Sequence, residues 1–205
     1  MGRRSVTVAF DWNGTLVDDV NRAYFATRQV LKQHAGKDLS LAAFRRSYHL
    51  PLSSFLYGLG ITRTDLPAAE DDLDRLVGQM PTHTSHAAIQ TLRDLRDSGV
   101  RTGVVSAAGA SVATDIAELD MQALFDFVQT GVTRKREALQ ELAVGTSLIY
   151  VGDTEYDVQE ARAAGATAIA YARGYRPRSA LRRAAPDAIV DELPALRSVV
   201  RRLDR

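Results

Sequence analysis

Short apolar runs that end abruptly on polar residues recur along this chain. Residues 6–10 are apolar and partly β-branched, stop at Asp11, and are followed by the turn pair Asn13-Gly14. Residues 101–105 stop at Ser106, residues 148–151 stop at Gly152-Asp153, and residues 166–170 read as a further strand. None of these runs alternates strictly between apolar and polar, so neither face is expected to meet water. That pattern predicts a parallel sheet covered by helices on both faces. The helices lie between the strands. Residues 87–97 place Ile89, Leu92 and Leu95 at helical spacing and stop near Gly99, Thr133 is placed to cap a helix holding Ala138, Leu139 and Leu142, and Thr154 is placed to cap residues 155–164 ahead of Gly165. In open parallel sheets the ligand crevice lies beyond the carboxyl ends of the strands, where Asp11, Ser106 and Asp153 all fall.

Residues 17–82 break this rhythm and read as helices only. Val20, Ala23, Tyr24, Thr27, Val30 and Leu31 form one face of a first helix, and Ser40 is placed to cap a second containing Leu41 and Phe44. Asp65 is placed to cap another, with Pro67 in its first turn and Leu73, Leu76 and Val77 on its inner face. The expected organisation is an α/β, Rossmann-like three-layer core with a parallel sheet, made from residues 1–16 and 83–205, and a small helical cap domain, residues 17–82, inserted after the first strand as a lid.

Composition narrows the chemistry. In 205 residues, 45% are hydrophobic and 25% charged, enough to bury a sizeable core. Lysine and arginine total 26 against 25 acidic residues, so no nucleic-acid partner is expected, and Arg182-Arg183 and Arg201-Arg202 read as solvated helix faces. The absence of cysteine excludes disulfides, thiolate catalysis and zinc-thiolate sites. No apolar run approaches the roughly 20 residues needed to cross a bilayer, no signal-peptide pattern is visible, and the expectation is a cytoplasmic protein without a membrane partner, monomeric or homodimeric. Only Lys32, Lys37 and Lys135 are lysines among a predominance of arginine, which makes each lysine easier to interpret.

The stretch Asp11-Trp12-Asn13-Gly14-Thr15-Leu16-Val17-Asp18 resembles the first motif of the haloacid dehalogenase superfamily, D-x-D-G-T. The resemblance continues in order through Ser106, Lys135 and Gly152-Asp153-Thr154-Glu155-Tyr156-Asp157, covers the whole core, and points to the phosphoglycolate phosphatase-like members with a helical cap. It implies a magnesium-dependent phosphatase acting on a small phosphorylated metabolite. Asp11 would be the nucleophile that forms an aspartyl-phosphate, because a carboxylate attacking phosphorus splits one hard displacement into two easier ones. Ser106, the backbone N–H of Ala107 and Lys135 would surround the transferring phosphoryl oxygens. Ala107 stands where the family often has asparagine, so only a backbone donor is retained there. The resemblance further implies that Mg²⁺ is held by the carboxylates of Asp11 and Asp153 and the backbone carbonyl of Asn13, with Asp157 direct or through water. Asp18 matches an acidic position common at the entry to the cap and is read as a hinge. Arg45, Tyr48 and His49 fall where related caps present a substrate-specificity loop. His34, His83 and His86 show no recognisable partners.

Asn13 departs from the motif at the position that normally holds the general acid/base, and an amide cannot give and recover a proton at neutral pH. The phosphatase reading therefore stands beside a catalytically impaired phosphate-binding or regulatory domain. A dehalogenase has no use for Asp153 and Asp157, and a phosphonate hydrolase would need a cap lysine for which Lys32 and Lys37 have no supporting feature. The substrate itself is not legible.

Overall fold

A computed structural model describes residues 5–109 and 111–203. The chain folds as two compact units, residues 1–18 with 83–205, and residues 19–82. The first unit opens with β1 (Ser5–Phe10), and the second holds α1 (Val20–Ala35), α2 (Leu41–Ser47), α3 (Leu52–Leu59) and α4 (Leu66–Gly78). The first unit resumes with α5 (His86–Asp97), β2 (Arg101–Val105), α6 (Ser111–Glu118), β3 (Phe127–Gln129), α7 (Lys135–Leu142) and β4 (Thr146–Gly152). It closes with α8 (Glu155–Ala163), β5 (Thr167–Tyr171), α9 (Arg178–Arg183), β6 (Ala188–Val190) and α10 (Leu196–Leu203).

The six strands form one parallel sheet in the order β3-β2-β1-β4-β5-β6, with β1 and β4 side by side at its centre. Because successive residues of a strand point to opposite faces, the unalternating runs fill two separate cores. On one face Val8, Phe10, Ile149, Val151 and Ile169 pack with Leu92 and Leu95 of α5, Val112 and Ile116 of α6, and Leu196 of α10. On the other, Ala9, Tyr150, Ala168 and Ala170 pack with Leu139 of α7, Val158 and Ala161 of α8, and Leu181 of α9. The start of α8 lies close against the end of β4, where a Cβ on Gly152 would collide with the Asp157 side chain.

Thr154 caps α8 as predicted and does so reciprocally. Its hydroxyl accepts from the Asp157 N–H while the Asp157 carboxylate accepts from the Thr154 N–H, a capping box. Two expected caps are corrected. Thr133 lies outside α7, which starts after Arg134 with no side-chain cap, and Asp65 precedes α4 but spends its carboxylate on the Thr62 hydroxyl. In the helical unit, α1 buries Val20, Ala26, Thr27, Val30 and Leu31. Phe44 and Phe55 meet edge to face as the centre of an aromatic cluster that includes Tyr48. His34, read from sequence as partnerless, pairs with Asp72 at 2.9 Å. No helix among the described residues is long and apolar enough to cross a membrane.

Candidate active site

Asp11 is the first residue beyond β1, and its N–H still bonds the Val151 carbonyl at 2.8 Å, so the sheet itself fixes its backbone. The chain then turns tightly. The Trp12 carbonyl accepts from the N–H groups of Leu16 at 3.0 Å and Val17 at 3.2 Å, Gly14 takes a φ of +71°, and Asn13 bridges to Val17. Trp12 is wholly buried and donates its indole N–H to Asp115 at 3.1 Å, anchoring the loop from below. Sequence reading had no reason to single out that pairing.

Ser106 follows β2. Its backbone is held on both sides, by the Gln129 carbonyl at 2.9 Å and the Val132 N–H at 3.0 Å, and its hydroxyl accepts from the Ala108 N–H at 3.3 Å and helps to lower the Asp11 carboxyl. Ala107, next along, is exposed. Lys135 opens α7 with its side chain 0% exposed, an unfavourable place for a cation both for burial and for the helix dipole. The ammonium is compensated by Asp157 Oδ1 at 2.7 Å and Asp11 Oδ1 at 3.4 Å, and by the rings of Tyr150 and Tyr156 at 5.2 and 5.6 Å. Its neighbours Arg134 and Arg136 pair instead with Glu137 and Glu160 at the surface, so helical phase selects the lysine.

Asp153 is the first residue beyond β4 and is 1% exposed. Asp157, one turn into α8, is fully committed within the protein: Oδ1 receives Lys135 and Oδ2 receives the Thr154 N–H and hydroxyl. Its geometry suits holding the lysine more directly than holding a metal.

Asp11, Asp153 and Asp157 bring one carboxylate oxygen each within 4.8 Å of one another, all three buried. Burial pushes the Asp11 carboxyl up to about 6, Lys135 pulls it back, and Asp157 pushes it further up. Burial alone would lower Lys135, but Asp11 and Asp157 hold it well above its ordinary value. The cluster therefore carries more negative charge than the one buried ammonium neutralises. Asp11 Oδ1 accepts no hydrogen bond from the protein. An oxygen-only donor set with excess negative charge fits a hard divalent cation of the Mg²⁺ type.

Asp18, read from sequence as a hinge, ends the first stretch of the sheet-bearing unit, and the residues read as the specificity loop lie in the other unit. Arg45 and Tyr48 are half-buried and His49 is exposed. Tyr48 packs on Phe44 and Phe55, and His49 Nδ1 lies 2.8 Å from the Ser47 carbonyl. Sequence reading missed Gly174, Tyr175 and Arg176, which follow β5 at the same end of the sheet. The signal available was their position past a strand's carboxyl end, in a stretch punctuated by Gly174 and Pro177.

The family model described as haloacid dehalogenase-like hydrolase matches residues 8–171. A phosphoglycolate phosphatase from Synechococcus elongatus is 30% identical over 122 residues, 56% of this chain and 58% of that protein, so the chain matches well under two thirds of that relative's length. Among solved structures, a haloacid dehalogenase-like family hydrolase from Streptococcus pneumoniae superposes with a TM-score of 0.79 at 19% identity, covering 98% of this chain and 100% of that one. A hydrolase from Pseudomonas syringae superposes with a TM-score of 0.80 at 18% identity, covering 96% and 99%. At these identities the structural likeness speaks for the fold.

Proposed function

The chain belongs to the haloacid dehalogenase-like hydrolases, and on that premise we propose that it is a Mg²⁺-dependent phosphatase hydrolysing a small phosphorylated metabolite through an aspartyl-phosphate on Asp11. The observation that carries this reading is the buried Lys135 ammonium held between Asp11 and Asp157, at 3.4 and 2.7 Å, beside a third buried carboxylate. Structure alone does not call for a buried lysine with three buried acids, since apolar residues of similar volume would be as stable.

In the proposed reaction an Asp11 carboxylate oxygen attacks phosphorus and the bond from phosphorus to the ester oxygen breaks, the leaving oxygen taking its proton from solvent because Asn13 has none to give. Water then attacks the same phosphorus and gives up a proton to solvent, releasing inorganic phosphate and restoring the carboxylate. Ser106 and the backbone N–H of Ala107 would donate to the equatorial oxygens, and Lys135 would balance their charge. Asp11, Asp153 and the Asn13 carbonyl would hold Mg²⁺, which supplies further neutralisation of the phosphoryl group when bound. Asp157 would keep Lys135 charged and aimed. Arg45, Tyr48 and His49 are proposed, from sequence position, to select the substrate.

The test is phosphate release across a panel of phosphorylated metabolites with and without Mg²⁺. Phosphoglycolate heads the panel because the Synechococcus elongatus relative is a phosphoglycolate phosphatase. Asn13 favours a second reading, a phosphate-binding domain without turnover, which predicts that panel members bind and none releases phosphate.

Metal binding is separately measurable. Magnesium chloride should raise the thermal midpoint of the wild-type protein, and Asp153→Asn should remove most of that rise. An unchanged midpoint on adding millimolar Mg²⁺ would refute the metal assignment whatever the enzyme's activity.

A further inference from the structure

The segment after β5 does more than return the chain to α9. The Tyr175 N–H donates to Asp153 Oδ2, and Tyr175 and Arg176 are themselves buried. Gly174 presses so close that a Cβ there would collide with the Asp153 side chain and with the Gly14 carbonyl. A Cβ on Gly14 would in turn collide with the Asp153 carboxylate and the Tyr175 ring. Two glycines from loops far apart in sequence thus converge on one carboxylate, and each lacks a side chain where the other loop's atoms lie. Gly14 adjoins Asn13, so the same contact fixes both the Asp153 carboxylate and the loop bearing the proposed carbonyl ligand.

This segment is fastened at its far side. Arg176 grips Glu155 with two parallel hydrogen bonds, Nε to Oε2 at 2.7 Å and a terminal nitrogen to Oε1 at 2.8 Å. The pair is largely sheltered, with side chains 11% and 26% exposed, so solvent screens it less than a surface pair. Glu155 is the first residue of α8, and Asp153 lies just ahead of it. The fork therefore ties the residue beside Tyr175 to the same short turn that carries Asp153.

We propose that residues 174–176 form a clasp that presets Asp153 and the Asn13-Gly14 loop for the divalent cation, with the Arg176–Glu155 ion pair as its latch. The proposal rests on the Mg²⁺ reading above. Arg176 and Tyr175 are then positioning residues, acting on the cation through Asp153. Such outer supports of a metal site typically cost 10- to 100-fold in metal affinity when removed.

Titration of Mg²⁺ alone into wild type, Arg176→Ala, Glu155→Gln and Asp153→Asn, followed by calorimetry, separates the possibilities. The clasp predicts Mg²⁺ binding weakened about tenfold in both latch variants, with turnover at saturating Mg²⁺ within about twofold of wild type. Arg176→Lys should recover only part of the loss, because a lysine cannot reproduce the two-pronged grip. Mg²⁺ affinity unchanged in a folded Glu155→Gln protein overturns the clasp while leaving the metal site standing. Wild type binding no more Mg²⁺ than Asp153→Asn overturns the metal site and the clasp with it. Should Arg176→Ala fail to fold, Glu155→Gln, which keeps shape and volume, decides the matter alone.

Discussion

Asp11→Ala should lose phosphate release entirely on every substrate the wild type accepts, a loss on the order of 10⁶ in kcat if it matches the removal of other covalent nucleophiles. The reason lies in what surrounds the carboxylate. Ser106 and Lys135 both approach it, the sheet fixes its backbone through Val151, and one of its oxygens accepts no hydrogen bond from the protein. An oxygen so held is oriented and still available to attack. The same surroundings make the residue costly, because burial pushes its carboxyl up to about 6 and Asp157 adds to the push. Asp11→Asn, which keeps the shape and removes the charge, should therefore leave the metal-free protein at least as stable as wild type while abolishing turnover, the trade expected where a site is kept for chemistry. Phosphate release by either variant at more than a small fraction of the wild-type rate would remove Asp11 from the nucleophile's role. A large drop in the metal-free thermal midpoint of Asp11→Asn would show instead that the carboxylate is a structural anchor for Lys135.

Asp11 was legible in the sequence because a strand carries little ambiguity when its run is apolar on both faces and stops abruptly on a polar residue. Strands β1, β2 and β4 were read for that reason and β5 from its apolar run alone, each to within a residue or two. The edge strands β3 and β6 were not, being three residues each and only partly buried, too short for any period to show. Helices α9 and α10 were marked only by their arginine pairs, read as solvated helix faces, and were given no bounds because those arginines dilute the apolar signal. The caps divide on similar grounds. Thr154 has Asp157 at the third helical position to complete a reciprocal pair, whereas Thr133 has no such partner and α7 begins later. In the site, the residues at strand ends followed from topology and motif together. The Trp12–Asp115 bond and the Arg176–Glu155 fork did not, because each joins residues whose meeting depends on how helices and loops pack, which no local spacing records.

Asn13→Asp should raise the hydrolysis of alkyl phosphates more than tenfold, since general acid/base assistance is typically worth about 10² to 10⁴ in rate. An alkoxide is a poor leaving group and needs a proton as it departs. The amide of Asn13 has none to give, and Asn13 sits two residues from the proposed nucleophile in a loop pinned by the Trp12 carbonyl and the Val17 bridge. A carboxyl placed there lies two residues from Asp11, which is itself clustered with Asp153 and Asp157, and repulsion between like charges would raise its pKa toward the range where it holds a proton to donate. An aryl or acyl phosphate leaves without that proton, so the gain should be confined to the alkyl ester. Magnesium affinity should change little, because the proposed ligand at this position is the backbone carbonyl, present in both proteins. The measurement is kcat for wild type and variant on one alkyl and one aryl phosphate, with Mg²⁺ titrated into each. Equal gains on both esters would mean that the new carboxylate acts through charge or metal and not as an acid. No gain on either, in a protein that still binds Mg²⁺, would mean that the proton comes from another group or that the native chain binds phosphate compounds without turning them over.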